Sequence, residues 1–213
     1  MSTYHLGPLG DFSGKIGAVV GATWRGQPVM RSMPNKTTKA PTPAQLHQRD
    51  KFAAVINFLN PIKELLNVTF GDNTQVKTPF NNATSYHLKS AVRYEDDRWQ
   101  MVYPKVLISL GTLQGLQTPV VSLMPSTSLH LQWTDNSTQG NANPDDLLVL
   151  VVYAPERKQY DYYTENATRQ EGSAIVALPT DLQGQHIEVW VSFITASGDN
   201  AAVSMYLGSY MVV

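Results

Sequence analysis

Apolar residues change their spacing twice along this chain. Residues 16–22 and 28–31 are short β-capable runs around Trp24-Arg25-Gly26-Gln27. That pattern predicts a hairpin, with Gly26 supplying a turn conformation that other residues resist. From Leu46 the period becomes helical: Leu46, Phe52, Ala53, Ile56 and Leu59 or Asn60 recur on one face. Thr42 stands ahead of them as an N-cap, Pro43 takes the first helical position, and Gln45 follows three residues after the cap, a capping-box pattern. Pro61 ends or kinks this helix, and Ile62, Leu65 and Leu66 allow another turn or two. A second cap-plus-proline, Thr78-Pro79, opens a helix to about Val92 with Phe80, Ala83, His87 and Ala91 on one face.

After Glu95-Asp96-Asp97 the period becomes that of strands. Residues 100–110 read as a strand and 111–118 as a turn region. Strands then follow at 120–124, 128–133, 147–154, 159–163, 173–178, 186–196 and 201–212. Asp135-Asn136, Asn143-Pro144, Gln183-Gly184 and Ser197-Gly198-Asp199-Asn200 separate several of them. Many short alternating strands at this spacing predict a two-sheet antiparallel sandwich of immunoglobulin or fibronectin type III style. Leu129, Leu131 and Trp133 are expected to face its core from one strand, and Ile187, Val189, Val191 and Phe193 from another. The expected fold is mainly β, in three parts. Residues 1–41 form a Gly-rich basic arm with a hairpin, 42–111 a section of two short helices with a following strand, and 112–213 the sandwich.

Composition narrows the class. A chain of 213 residues that is 42% apolar and 15% charged is globular, with room for one large or two small domains. It has no cysteine, which excludes disulfides and thiolate metal sites. Met1-Ser2-Thr3-Tyr4-His5 shows neither a basic nor an apolar leader region, and the apolar run at 147–153 is too short to cross a bilayer. The expectation is a soluble cytoplasmic protein without membrane insertion, with a virion or extracellular assembly as the other setting. The net charge of −1 hides an asymmetry. Residues 1–63 carry eight basic side chains against two acids, and residues 64–213 hold the other eight against fifteen. A basic front and an acidic back suit a head-to-tail contact between copies.

The candidates for chemistry fall one at a time. Residues 10–15 have glycines too close for a phosphate loop, and Ile16 stands where a magnesium-binding hydroxyl is needed. His5, His47, His87, His130 and His186 show no ligand spacing. Glu95-Asp96-Asp97 reads as a solvated loop, since paired catalytic carboxylates need differently buried positions. The Asp135 loop has Gly140 and Asp146 at the sixth and twelfth places of a calcium loop, but Ser137 and Gln139 replace the usual acids. The expectation is therefore no cofactor, no metal and no enzymatic activity. Tyr153, Tyr160, Tyr162 and Tyr163 are a candidate stacking platform for carbohydrate, set against the general abundance of tyrosine in strands. Asn35, Asn67, Asn82, Asn136 and Asn166 head glycosylation sequons that matter only in a eukaryotic secretory pathway. Arg49 and Lys51 lack the interleaved aromatics of a specific nucleic-acid face.

Several motifs carry a resemblance. Gly14-Lys15-Ile16-Gly17, Val20-Gly21, Trp24-Arg25-Gly26, Val29-Met30-Arg31-Ser32-Met33-Pro34 and Thr42-Pro43-Ala44-Gln45 come first. Trp133-Thr134-Asp135-Asn136-Ser137, Arg169-Gln170-Glu171-Gly172 and Ser204-Met205-Tyr206-Leu207-Gly208 continue the match. Together they resemble an uncharacterised Bacteroidota family of about two-hundred-residue proteins. The opening sixty residues are also similar to small phage and prophage structural proteins. That likeness implies a non-enzymatic structural or assembly protein, phage-like or appendage-like, that self-associates. The arm, with Gly7, Gly10, Gly14, Gly17, Gly21 and Gly26 and few core-forming side chains, needs contacts to offset the entropy of ordering it. Its candidate assembly residues are Gly14, Lys15, Gly17, Val20, Gly21, Trp24, Gly26, Arg31 and Pro34. The alternative is a sandwich module whose loops, such as 135–144, bind a glycan or a protein partner.

Overall fold

The computed structural model describes residues 2–3, 13–24, 26–34, 39–71, 77–124 and 127–212. Gly7, Gly10 and Arg25 of the expected arm lie outside these residues. The chain forms two compact units, Met1–Pro43 and Ala44–Val213.

Among the described residues, the first unit is one antiparallel sheet. Its strands are β1 (Ser2–Thr3), β2 (Gly14–Ile16), β3 (Val19–Trp24) and β4 (Gln27–Ser32), in the order β1-β4-β3-β2. The expected hairpin is β3–β4, paired from Val19–Ser32 to Trp24–Gln27. Gly26 turns it at φ +75°, in the left-handed region that favours glycine. A second tight turn separates Ile16 from Val19, with Gly17 at φ +58°, so the apolar run at 16–22 is two strands and not one.

α1 (Pro43–Leu59), which belongs to the second unit from Ala44 onward, starts at the proline its capping pattern marks. A short 3₁₀ turn, Asn60–Ile62, carries Pro61 near its start and bends the chain into α2 (Lys63–Thr69). α1 buries Val55, Phe58 and Leu59, whereas Leu46 and Phe52 are exposed, which corrects the expected face. The reason is a tertiary contact: the Trp99 indole nitrogen donates to the His47 carbonyl at 3.1 Å, and the Lys51 ammonium lies 4.8 Å from that ring. The first turns therefore dock through His47 and Lys51, and the neighbouring apolar residues turn outward. α3 (Pro79–Ser90) follows, capped by Thr78, whose hydroxyl accepts from the Asn81 amide at 3.2 Å.

The stretch expected as one strand at 100–110 is different. β5 (Val92–Glu95) and β6 (Arg98–Met101) form a hairpin turned by Asp96 and Asp97, both at positive φ. The acidic trio therefore closes a two-residue turn. After Met101 the chain leaves the ladder through a 3₁₀ turn at Tyr103–Lys105.

Seven strands complete the unit: β7 (Gln117–Met124), β8 (Ser128–Thr134), β9 (Leu147–Ala154), β10 (Gln159–Thr168), β11 (Ser173–Ala177), β12 (His186–Ile194) and β13 (Met205–Met211). They pair antiparallel in two sheets, β11-β8-β7 and β10-β9-β12-β13. This is an immunoglobulin/fibronectin-III-like sandwich. Leu129, Leu131 and Trp133 pack inward with Leu148, Leu150, Val191 and Phe193, in two adjoining clusters between the sheets. β9 and β12 are buried on both faces. Val149, Val151, Tyr153, Trp190 and Ile194 point to the other side, into a cluster with Val55, Phe58, Leu59, Ile62 and Leu66. Sandwich and helices thus form three layers, and α1, α2 and α3 share a core with the four-stranded sheet.

Candidate functional site

Pairing register and strand alternation place the expected assembly residues of the arm. Lys15 pairs with Val20, and Val20 with Arg31, so the three cross one face in a row. Ala22, Val29 and Trp24 share that face. Gly14 and Gly21 are paired on the other, beside Ile16, Val19 and Met30. Gly17 and Gly26 make the two turns, and Pro34 lies past the end of β4. Apolar side chains therefore stand on both faces of the sheet, yet among the described residues of this unit the only buried hydrophobic is Val29, 2% exposed. Ile16 is 63% and Trp24 49% exposed.

The second unit contains a cavity of about 470 Å³. Phe58 of α1, Trp99 of β6, Tyr103, Tyr153 at the end of β9 and Tyr160 of β10 bring five aromatic rings to it. The Tyr153 and Tyr160 rings lie 4.4 Å apart, and Phe58 meets each edge-on at 5.2 and 5.4 Å. Arg98 and Lys158 stand exposed at its margin, and no aspartate or glutamate is among the described residues that line it. The Tyr160 hydroxyl is buried and has no hydrogen-bond partner among the described residues. Burial pushes the Tyr160 phenol well above its ordinary value, and pushes Tyr103 up to about 12, so both are neutral donors.

The cavity divides the expected tyrosine platform. Alternation sends Tyr153 and Tyr160 to the helix side of the sheet, while the Tyr163 hydroxyl donates to the Ala177 carbonyl at 3.1 Å, over the sandwich interior. Tyr162 lies away from the cavity beside α2. Two of the four tyrosines therefore form one site. Phe58, Trp99, Tyr103 and the two cations were not legible as its other members, because they come from three separate segments.

The loop at 135–144 is tied down by Arg169. This guanidinium is fully buried, donating from Nε to Asp146 Oδ2 at 2.9 Å, from Nη1 to Asn136 Oδ1 at 2.7 Å and from Nη2 to the Gln114 carbonyl at 2.8 Å. It lies 4.0 Å from the centroid of Phe193, and the Trp133 indole donates to the Arg169 carbonyl at 2.8 Å. The side chain that takes the twelfth place in a calcium-loop reading is thus half of an internal ion pair. Two motifs of the resemblance, at 133–137 and 169–172, meet here as one piece of scaffold. Among the described residues, no three His, Asp or Glu side chains come together to hold a metal, and no helix is long and apolar enough to cross a membrane.

Residues 11–208 match the Family of unknown function (DUF6266), and the chain belongs to it. No curated protein matches the sequence. Among solved structures, the fn3 domain of human collagen alpha-1(XX) chain is similar at 10% identity and a TM-score of 0.35, over 47% of this chain and 85% of that one. The fn3 domain of human contactin 1 is similar at 11% identity and a TM-score of 0.35, over 49% and 83%. The FN5 domain of Drosophila Lar is similar at 11% identity and a TM-score of 0.31, over 46% and 96%.

Proposed function

We propose that this protein is a non-enzymatic assembly subunit that self-associates through its N-terminal sheet. One observation carries the reading: the first unit has apolar side chains on both faces and buries only Val29 among its described hydrophobics. Units of about 40 residues rarely build a sufficient core without disulfides, metals or oligomerisation. Cysteine is absent, so disulfides are excluded. A second copy would cover Ile16 and Trp24 and pair the outer edge of β2, an exposed strand being a ready template for another chain. Lys15 and Arg31 on one face would meet the acidic excess of residues 64–213, steering a head-to-tail contact. A virion-like or appendage-like setting rests on the likeness of the opening residues to phage structural proteins.

Light scattering on the full chain tests this. The expected result is an oligomer at low salt that dissociates as salt rises, and a monomer for the Ile16→Asp/Trp24→Ser double variant. A monomeric wild-type chain at low salt and high concentration rejects the reading.

A further inference from the structure

We propose that the aromatic cavity of the second unit is a binding site for an acidic sugar, a pyranose ring bearing a carboxylate. The inference is independent of assembly through the arm. A volume of about 470 Å³ accommodates one to two sugar rings and falls within the range of small-ligand sites. Its chemistry is of three kinds. Trp99, Tyr103 and Tyr160, half-buried on the lining, offer aromatic surface to the C–H face of a pyranose, whose bonds on that side are apolar.

Polar groups then match the ring's hydroxyls. The Asn57 and Gln100 amides lie on the lining, and the Tyr160 hydroxyl is buried there without a partner. A buried hydroxyl gains most from a ligand that completes its hydrogen bond. Charge selects the carboxylate: Arg98 and Lys158 stand at the margin, with no aspartate or glutamate among the described lining residues. A guanidinium and a carboxylate make the stronger class of charge-assisted hydrogen bond. A neutral sugar leaves both cations unused. An aromatic acid satisfies the rings and the cations but leaves the amides and the Tyr160 hydroxyl unmatched.

The experiment is calorimetric titration of the full chain with galacturonate, glucuronate and mannuronate trisaccharides, beside a neutral glucose trisaccharide and benzoate. At least one uronate is expected to bind at millimolar concentration or below, more tightly than either control and more weakly as salt rises. Tyr160→Phe keeps the ring and removes only the hydroxyl. It is expected to weaken binding about tenfold, with a melting temperature equal to or above that of the wild type. Arg98→Ala is expected to weaken uronate binding similarly without disturbing the fold, since its side chain is exposed. The proposal is overturned if no uronate binds, if benzoate or the neutral sugar binds as well, or if both variants bind like the wild type.

Discussion

At the scale of single residues, the largest consequence belongs to Arg169. Its buried ion pair with Asp146 joins the 135–146 loop, the segment ahead of β7 at Gln114 and the Phe193 ring. Removing one partner leaves the other charge buried and uncompensated, so Arg169→Ala is expected to cost about 3–5 kcal/mol in urea unfolding. His87 makes stability depend on pH. Its Nδ1 donates to the Ala83 carbonyl at 2.7 Å, and Nε2 accepts from the Leu107 amide at 3.3 Å, which fixes the neutral ring. Burial pushes its pKa down to about 4, against about 6.5 in an unfolded chain. Between these values the unfolded state binds the extra proton. The contribution is therefore fully present above about pH 6.5, is lost as the pH falls toward 4, and spans about 3 kcal/mol. Unfolding midpoints measured across that window should show the slope, and His87→Gln should flatten it. Gly111 is a matter of close approach: an added Cβ would lie 2.2 Å from the Ala201 carbonyl oxygen. Gly111→Ala is expected to lower the melting temperature measurably, because that contact is with backbone and must be relieved by moving the chain.

At the scale of elements, helix starts are legible in the sequence, and buried faces less so. Both prolines that mark helix starts, Pro43 and Pro79, occupy the first helical position. At α3 the Thr78 hydroxyl accepts from the Asn81 amide, so Thr78→Ala is expected to cost about 1 kcal/mol. Local chemistry suffices there because a cap and its helix are a few residues apart. Leu46 and Phe52 satisfy helical periodicity as well as Val55 and Leu59 do, so periodicity alone does not single out the buried face of α1. What decides is the indole of Trp99, fifty-two residues away from His47, which claims the polar side of the first turns. β6 ends early for a similar reason: Val106 and Ile108 are β-capable but bury themselves under the helices instead of extending the hairpin.

At the scale of the whole molecule, the helices are the outer cover of the four-stranded sheet. Val149, Val151, Trp190 and Ile194 pack there with Val55, Phe58, Leu59, Ile62 and Leu66 of the helical segment, and with Val106 and Ile108 of the stretch that follows it. Residues 44–213 are therefore expected to melt cooperatively as a fragment. Residues 112–213 alone would expose that face and should aggregate or lose fixed near-UV dichroism; a cooperative, monomeric melt of the shorter fragment would show that the helices are dispensable.

The sequence by itself determined the local and the periodic. Strand positions in the sandwich, inward faces such as Leu129-Leu131-Trp133, helix starts and the Gly26 turn all follow from neighbours a few residues apart. Even the double burial of β9 had a signal, since Leu147-Leu148-Val149-Leu150-Val151-Val152 does not alternate. The tertiary structure alone decided which surfaces meet. It placed helices against the outer sheet face, gathered Phe58, Trp99, Tyr103, Tyr153 and Tyr160 around one cavity, and closed Arg169 onto Asp146 and Asn136. Those groups lie tens of residues apart, and no periodicity encodes the pairing of one buried surface with another.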